Sequence, residues 1–257
     1  MATSTVGDPL PGRRLAIIGG TGLTSLEGLV IERREVVSTR WGEPSGPVSH
    51  GTLAGKSVAF LPRHGYRHTI PPHRVNYRAN IWALRTIGIT HVVAVAAVGG
   101  IDAALEPGCL VVPSQIVDYT WSRGHSFFED ELDHVVHIDF TEPYESELRG
   151  LVLEAGRGAG VALTDGGTYA AMQGPRLETA AEIDRLERDG CTLVGMTGMP
   201  EAALAREAGL AYAHLAVVVN PAAGRGEGPI TMEQIEGHLR AGMGRVRAVL
   251  EQVVRLV

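Results

Sequence analysis

Four short stretches of this chain hold residues suited to chemistry more than to packing. Gly19-Gly20-Thr21-Gly22 sets a hydroxyl among glycines. Glycines let backbone N–H groups close on an anion, and Thr21 adds a donor. Arg63-His64-Gly65 offers a planar guanidinium fork of the kind that matches phosphate oxygens. The stretch from Gln173 to Glu201 reads as the floor of a pocket. It begins Gln-Gly-Pro-Arg-Leu-Glu-Thr, with the Glu178 carboxylate beside Arg176, and ends Gly-Met-Thr-Gly-Met-Pro-Glu, with Met196 and the Thr197 hydroxyl. Asn220, ahead of Pro221-Ala222-Ala223-Gly224, puts an acceptor and a pair of donors on one amide. That suits a ring edge presenting N–H and C=O, and the amide orientation is free to flip. Each stretch also has a plainer reading: a strand-to-loop turn, a surface arginine with a satisfied histidine, an Asn turning the chain before Pro221.

Other chemistries fit less well. A dinucleotide fingerprint needs a third glycine at fixed spacing and a helix behind it, and Leu23–Leu29 has no good helix run. No Lys-Ser or Lys-Thr follows the glycines, so the loop is not a P-loop. His64, His68 and His73, interrupted by Pro71 and Pro72, and the pair His134 and His137 lack the spacing and companion ligands of a metal site, so no metal is expected. There is no Gly-x-Ser-x-Gly elbow, and neither Cys109 nor Cys191 has an evident paired histidine.

The elements that must position these groups alternate. Apolar runs at Leu15–Ile18, His91–Val98, Leu110–Val117 and Tyr212–Val219 read as strands, as do Val30–Ser38, Thr168–Met172 and Thr192–Gly195. Gly51–Leu61 reads as two strands turned by Ala54-Gly55-Lys56. His91–Val98 is apolar on both faces, as a parallel strand covered by helices would be. Asn76–Arg85, Glu145–Ala159 and Thr179–Arg188 read as helices. Pro200 and Glu201 suit a further helix start. Thr231 with Gln234 forms a capping box for the last helix. The expected fold is a single α/β domain over 13–257 with a mixed, largely parallel central sheet, after a disordered tail over 1–12. Trp121–Phe140 reads as an irregular excursion long enough to be a functional or interface loop.

Composition bounds the partners. A hydrophobic share of 44% supports one large core, and a formal charge of −6 over 257 residues argues against nucleic acid, which needs a basic stripe. No run approaches a membrane span, so no membrane partner is expected. Two cysteines suit a reducing cytoplasm.

Taken in order, Gly-Gly-Thr-Gly-Leu, Arg-His-Gly, His-Thr-Ile, Val-Asn-Tyr-Arg-Ala-Asn-Ile-Trp-Ala-Leu, Gly-Pro-Arg and Met-Thr-x-x-Pro-Glu resemble the trimeric purine nucleoside phosphorylase family, and within it the methylthioadenosine phosphorylase branch. The resemblance runs from about Leu15 to the C-terminus. It implies that inorganic phosphate, as co-substrate and with no cofactor, cleaves a purine nucleoside to free base and ribose 1-phosphate. It places Thr21, Arg63, His64 and Thr197 on phosphate with Ala96 and Ala97, and Met196 under the ribose. Val98, Leu177 and Ala222 would also touch substrate, and Asn220, at the purine N7 edge, would be catalytic. It further implies a homotrimer in which the Trp121–Phe140 excursion, through His137, helps complete a neighbour's site.

Some residues depart from the branch. Aspartates stand there at the positions of Asn220 and Ala222, and a threonine at that of Ala96. Asn220 and Glu178 instead resemble 6-oxopurine enzymes, where a carboxylate accepts from N1–H. Met232 falls where inosine-type enzymes place a histidine for the 5′-hydroxyl. The expectation is a 6-oxopurine nucleoside with an apolar 5′ group such as methylthio; inosine and guanosine, or a 6-aminopurine nucleoside, are the alternatives.

Overall fold

The structure is a computed structural model describing residues 12–130 and 134–257. The tail expected over 1–12 lies, Gly12 apart, outside the described residues, as do residues 131–133 of the excursion.

The strands are β1 (Leu15–Gly19), β2 (Val30–Glu35), β3 (Val48–Leu53), β4 (Lys56–Pro62), β5 (His91–Gly100), β6 (Leu110–Val112), β7 (Gln115–Asp118), β8 (Leu163–Asp165), β9 (Thr168–Ala171), β10 (Leu193–Gly195) and β11 (Ala211–Pro221). The helices are α1 (Tyr77–Thr86), α2 (Ser146–Gly158), α3 (Ala180–Arg188), α4 (Gly198–Glu207) and α5 (Met232–Leu256). One path runs β2-β3-β4-β1-β5-β10-β9-β7, and β11 joins β5 to β6, with β8 beyond. The sheet is mixed, with β4-β1-β5-β11 and β10-β9-β7 parallel.

Strand periodicity explains why both faces are covered. Ala16 and Ile18 of β1 and Val92 and Ala94 of β5 share one core cluster with α1 and α4. Leu15 and Ile17, with Val93 and Val95, share the other with α2 and α5. Successive side chains point to opposite faces, so a strand covered on both sides must be apolar throughout. The helix starts follow their caps. The Asn76 side chain accepts from the Ala79 N–H, and both Thr179/Glu182 and Thr231/Gln234 form complete capping boxes. Each such cap is worth about 1 kcal/mol.

Leu110–Val117 differs from the single strand expected. It divides at Pro113-Ser114 into β6, antiparallel to β11, and β7, parallel to β9. Proline donates nothing to a ladder, so the chain changes partner there. β8 has three residues and no apolar alternation, which is why periodicity gave no sign of it.

Two irregularities open the sheet near the ends of β5 and β11. β11 pairs with β5 along its length, while on the opposite edge β1 covers only His91–Ala94 and β10 only Gly99–Gly100. Among the described residues, 95–98 therefore lack a strand partner on that edge. The second is a bulge: Val218 pairs with Val98 but Asn220 with Gly99, leaving Val219 extra. One extra residue reverses the alternation of everything beyond it. The bulge thus aims Asn220.

Candidate active site

A cavity of about 500 Å³ opens at the gap in β5. Its wall includes Thr21, Arg63, His64, Ala96, Ala97, Val98, Leu177, Glu178, Met196, Thr197, Asn220, Ala222 and Met232. These are all the residues that the resemblance assigns to the site except His137, which is exposed and is absent from this lining. His68, Ile230 and Ile235 join them. The size suits a small-molecule ligand.

One end is built from strand termini. Gly20 must be glycine: a Cβ there would lie 2.6 Å from the Val95 carbonyl oxygen and 2.9 Å from Arg63 Nη1. That closeness brings Thr21 to β5. The Thr21 hydroxyl lies 3.2 Å from His68 Nε2.

Arg63 is fully buried, so it is no surface arginine; it lines the cavity, and three of its five N–H groups are engaged within the protein. Nε and Nη2 donate to Glu201 at 2.7 Å each, and Nη1 donates to the Val95 carbonyl at 2.9 Å. Burial alone would lower its pKa, but the Glu201 carboxylate holds it above its ordinary value. Glu201 also accepts from the Tyr212 hydroxyl at 2.8 Å. Its role is thus a buried counter-charge, beyond the helix-start preference expected of it. A buried charge is tolerated only when paired and hydrogen-bonded, and Glu201 meets that condition for Arg63.

His64 likewise adds no charge. Nδ1 lies 2.8 Å from the Ile70 carbonyl oxygen, which can only accept, so Nδ1 carries the proton. Burial, and then the charge of Arg63, push the ring's pKa down to about 4, leaving it neutral at neutral pH. The Thr197 hydroxyl is buried and has no hydrogen-bond partner among the described residues, on a residue that lines the cavity. An unpaired buried hydroxyl costs about 1–3 kcal/mol, and a ligand oxygen would relieve that cost.

The other end is set for a ring and an apolar group. Asn220 Nδ2 donates to the Pro221 carbonyl at 2.7 Å. The amide is therefore not free to flip, in contrast to the expectation, and Oδ1 and one N–H remain. Glu178 is half-buried. Burial, then the Glu182 carboxylate, raise its pKa, and Arg176 only partly opposes them. Arg176, its near neighbour in sequence, forms a bidentate pair with Glu182 instead, at 2.8 and 2.7 Å. Glu182 is the better partner because the Thr179 capping box already fixes it. Ile230, Met232 and Ile235 give this end an apolar lining, with Met232 62% exposed.

Sequence reasoning missed Arg123. It donates to the carbonyls of Met172, Gln173, Met196 and Met199 and to the Gln173 side chain, all within 3.1 Å. Its only signal was its place in the excursion, which has no periodicity to read.

Fold and pocket together define an α/β protein with a cavity of small-molecule size at its strand ends. The chain belongs to the phosphorylase superfamily, whose sequence model matches residues 14–255. It is 57% identical over 239 residues to a probable S-methyl-5'-thioinosine phosphorylase of Pseudomonas syringae pv. tomato, covering 93% of this chain and 97% of that protein. A probable 6-oxopurine nucleoside phosphorylase of Dictyoglomus turgidum is 40% identical over 241 residues, covering 94% and 90%. A solved methylthioadenosine phosphorylase from Schistosoma mansoni, in complex with adenine, superposes with a TM-score of 0.91 at 32% identity, covering 95% of this chain and 92% of that one.

Proposed function

We propose that this enzyme carries out phosphorolysis of S-methyl-5'-thioinosine, releasing hypoxanthine and 5-methylthioribose 1-phosphate. One observation carries the reading: the pinned Asn220 amide and the Glu178 carboxyl share one cavity with the apolar group of Ile230, Met232 and Ile235.

No covalent intermediate is needed. Phosphate sits among Thr21, Thr197 and the uncovered β5 edge at Ala96 and Ala97, with Met196 under the ribose. It attacks C1′ as the glycosidic bond breaks, and the sugar passes through an oxocarbenium-like state. Positioning and preorganised donors carry the catalysis. Neutral His64 does not repel or neutralise the anion; it accepts a hydrogen bond from a phosphate hydroxyl. The leaving purine gains negative charge and takes at N7, through solvent, the proton that the phosphate loses on becoming an ester. Asn220 Oδ1 accepts that N7–H while the remaining Nδ2–H donates to O6. Glu178, when ionised, accepts N1–H. A 6-aminopurine sets its amino group against the Nδ2–H and a bare N1 against the carboxylate. Each mismatch costs about 1–3 kcal/mol.

The exposure of Met232 leaves the 5′ end open. This favours, as a second reading, broader action on inosine and guanosine. The working unit we propose is a cytoplasmic homotrimer using only phosphate as co-substrate, with the exposed His137 directed to a neighbour's site. Light scattering of the active species tests the assembly, and a fully active monomer would overturn it.

The deciding experiment assays methylthioinosine, methylthioadenosine, inosine, guanosine and adenosine, each with and without phosphate. Base release should require phosphate, with methylthioinosine highest in kcat/KM. A preference for methylthioadenosine would overturn the roles of Asn220 and Glu178.

A further inference from the structure

We propose that Arg123 is the positioning residue for the phosphate end of the cavity. This rests on the phosphorolysis reading above. β9 and β10 are parallel and end side by side, at Ala171 and Gly195. Beyond their last pairs the chain turns, and carbonyls that would have continued the ladder need other donors. Arg123 supplies them. Nη2 donates to Met172 O at 3.1 Å and Gln173 O at 2.8 Å, while Nη1 donates to Met196 O at 2.8 Å and Met199 O at 2.6 Å. Nε binds the Gln173 side chain at 3.1 Å. One planar guanidinium thus ties two strand ends into a single wall, and that wall carries Met196 and the partnerless Thr197 hydroxyl.

The charge supports the same role. Arg63 is neutralised by Glu201 within the core. No carboxylate among the described residues forms an ion pair with Arg123; carbonyls, amide and phenol oxygens and the face of the Tyr77 ring hold it. Nη1 donates to Met196 O at 2.8 Å, so the charge lies beside the residue that precedes Thr197. It therefore favours an anion in front of Thr197 as well as fixing the hydroxyl's place. A lysine keeps the charge but, with one nitrogen, cannot span both strand ends.

The test uses the full-length wild type, Arg123→Lys and Arg123→Met. Melting temperature, phosphate and nucleoside KM, kcat, and the affinity for inorganic phosphate by titration calorimetry are measured on each. Arg123→Lys should raise the phosphate KM and weaken phosphate binding about tenfold, with nucleoside KM within about threefold of wild type. Arg123→Met should lower kcat/KM for phosphate about a hundredfold, as losing one preorganised donor does. If Arg123→Met does not fold, Arg123→Lys decides alone. Unchanged phosphate binding and KM in a folded variant would overturn the proposal, as would equal losses for both substrates alongside a lowered melting temperature. If wild type releases base without phosphate, the functional reading fails, and the calorimetry still decides the role of Arg123.

Discussion

The two ends of the cavity are built differently. The Thr21–Arg63–Thr197 end comes from strand termini and core: Arg63 and Glu201 have no exposed surface, and Thr197 is buried. The Glu178–Met232 end comes from a loop and a helix start, with Met232 62% and Leu177 41% exposed. At the first end, function and stability share the same residues. At the second, a side chain can change without disturbing the core. On the proposed function, the phosphate common to every reaction meets the part of the fold least free to vary, and the features that distinguish nucleosides meet the part most free.

The largest expected effect tests the first half of that contrast. Glu201→Gln leaves Arg63 charged in the core without its counter-charge, and breaking a buried pair costs about 3–5 kcal/mol. The urea midpoint should fall accordingly. A midpoint within error of wild type would mean that the rigid end is not held by this pair.

Glu178→Gln tests the second half. Stability should change little, while the preference for 6-oxopurine over 6-aminopurine nucleosides should fall by about 1–3 kcal/mol in relative kcat/KM. A pH dependence accompanies it. The carboxyl's pKa is raised in the fold, so its protonated form stabilises the fold at pH below the ordinary glutamate value, and this contribution is lost as pH rises through the raised value. The ionised form accepts N1–H, so kcat/KM for methylthioinosine should fall as pH drops through that raised value. In Glu178→Gln this acid limb should vanish; a limb that persists belongs to another group.

Met232→His is the smallest change, on the order of 1 kcal/mol between two substrates. Inosine should gain relative to methylthioinosine, with an unchanged melting temperature. A ratio that does not move would place the 5′ group elsewhere in the cavity.

Much of this was legible in the sequence, for a physical reason. Apolar runs, caps and glycine turns are local, and the expected strand at His91–Val98 and the Thr231 capping box appear where local rules put them. The lining residues also converge on one cavity. What was not legible depends on partners far away in the chain. Arg63 reads as a phosphate fork, but the buried carboxylate that pairs with it, Glu201, lies 138 positions on. Arg176 is nearer in sequence to Glu178, but Glu182 takes it because a cap has already fixed that carboxylate. Arg123 gathers carbonyls from two strand ends, and a backbone carbonyl leaves no mark on residue type. The bulge at Val219 is invisible for a similar reason: nothing in Val-Val-Val-Asn states where the register slips.

The pairing of Arg63 with Glu201 also constrains the order in which the chain can fold. The two residues are 138 positions apart. β4 cannot bury its end until α4 has arrived, since a guanidinium enclosed alone would be an unpaired charge in a dry interior. Closing so long a loop is entropically slow. A nascent chain that has not yet emitted residue 201 therefore holds its N-terminal strands short of their final packing. The catalytic pocket is then among the last features to form, and an incomplete chain has no finished site with which to bind a nucleoside.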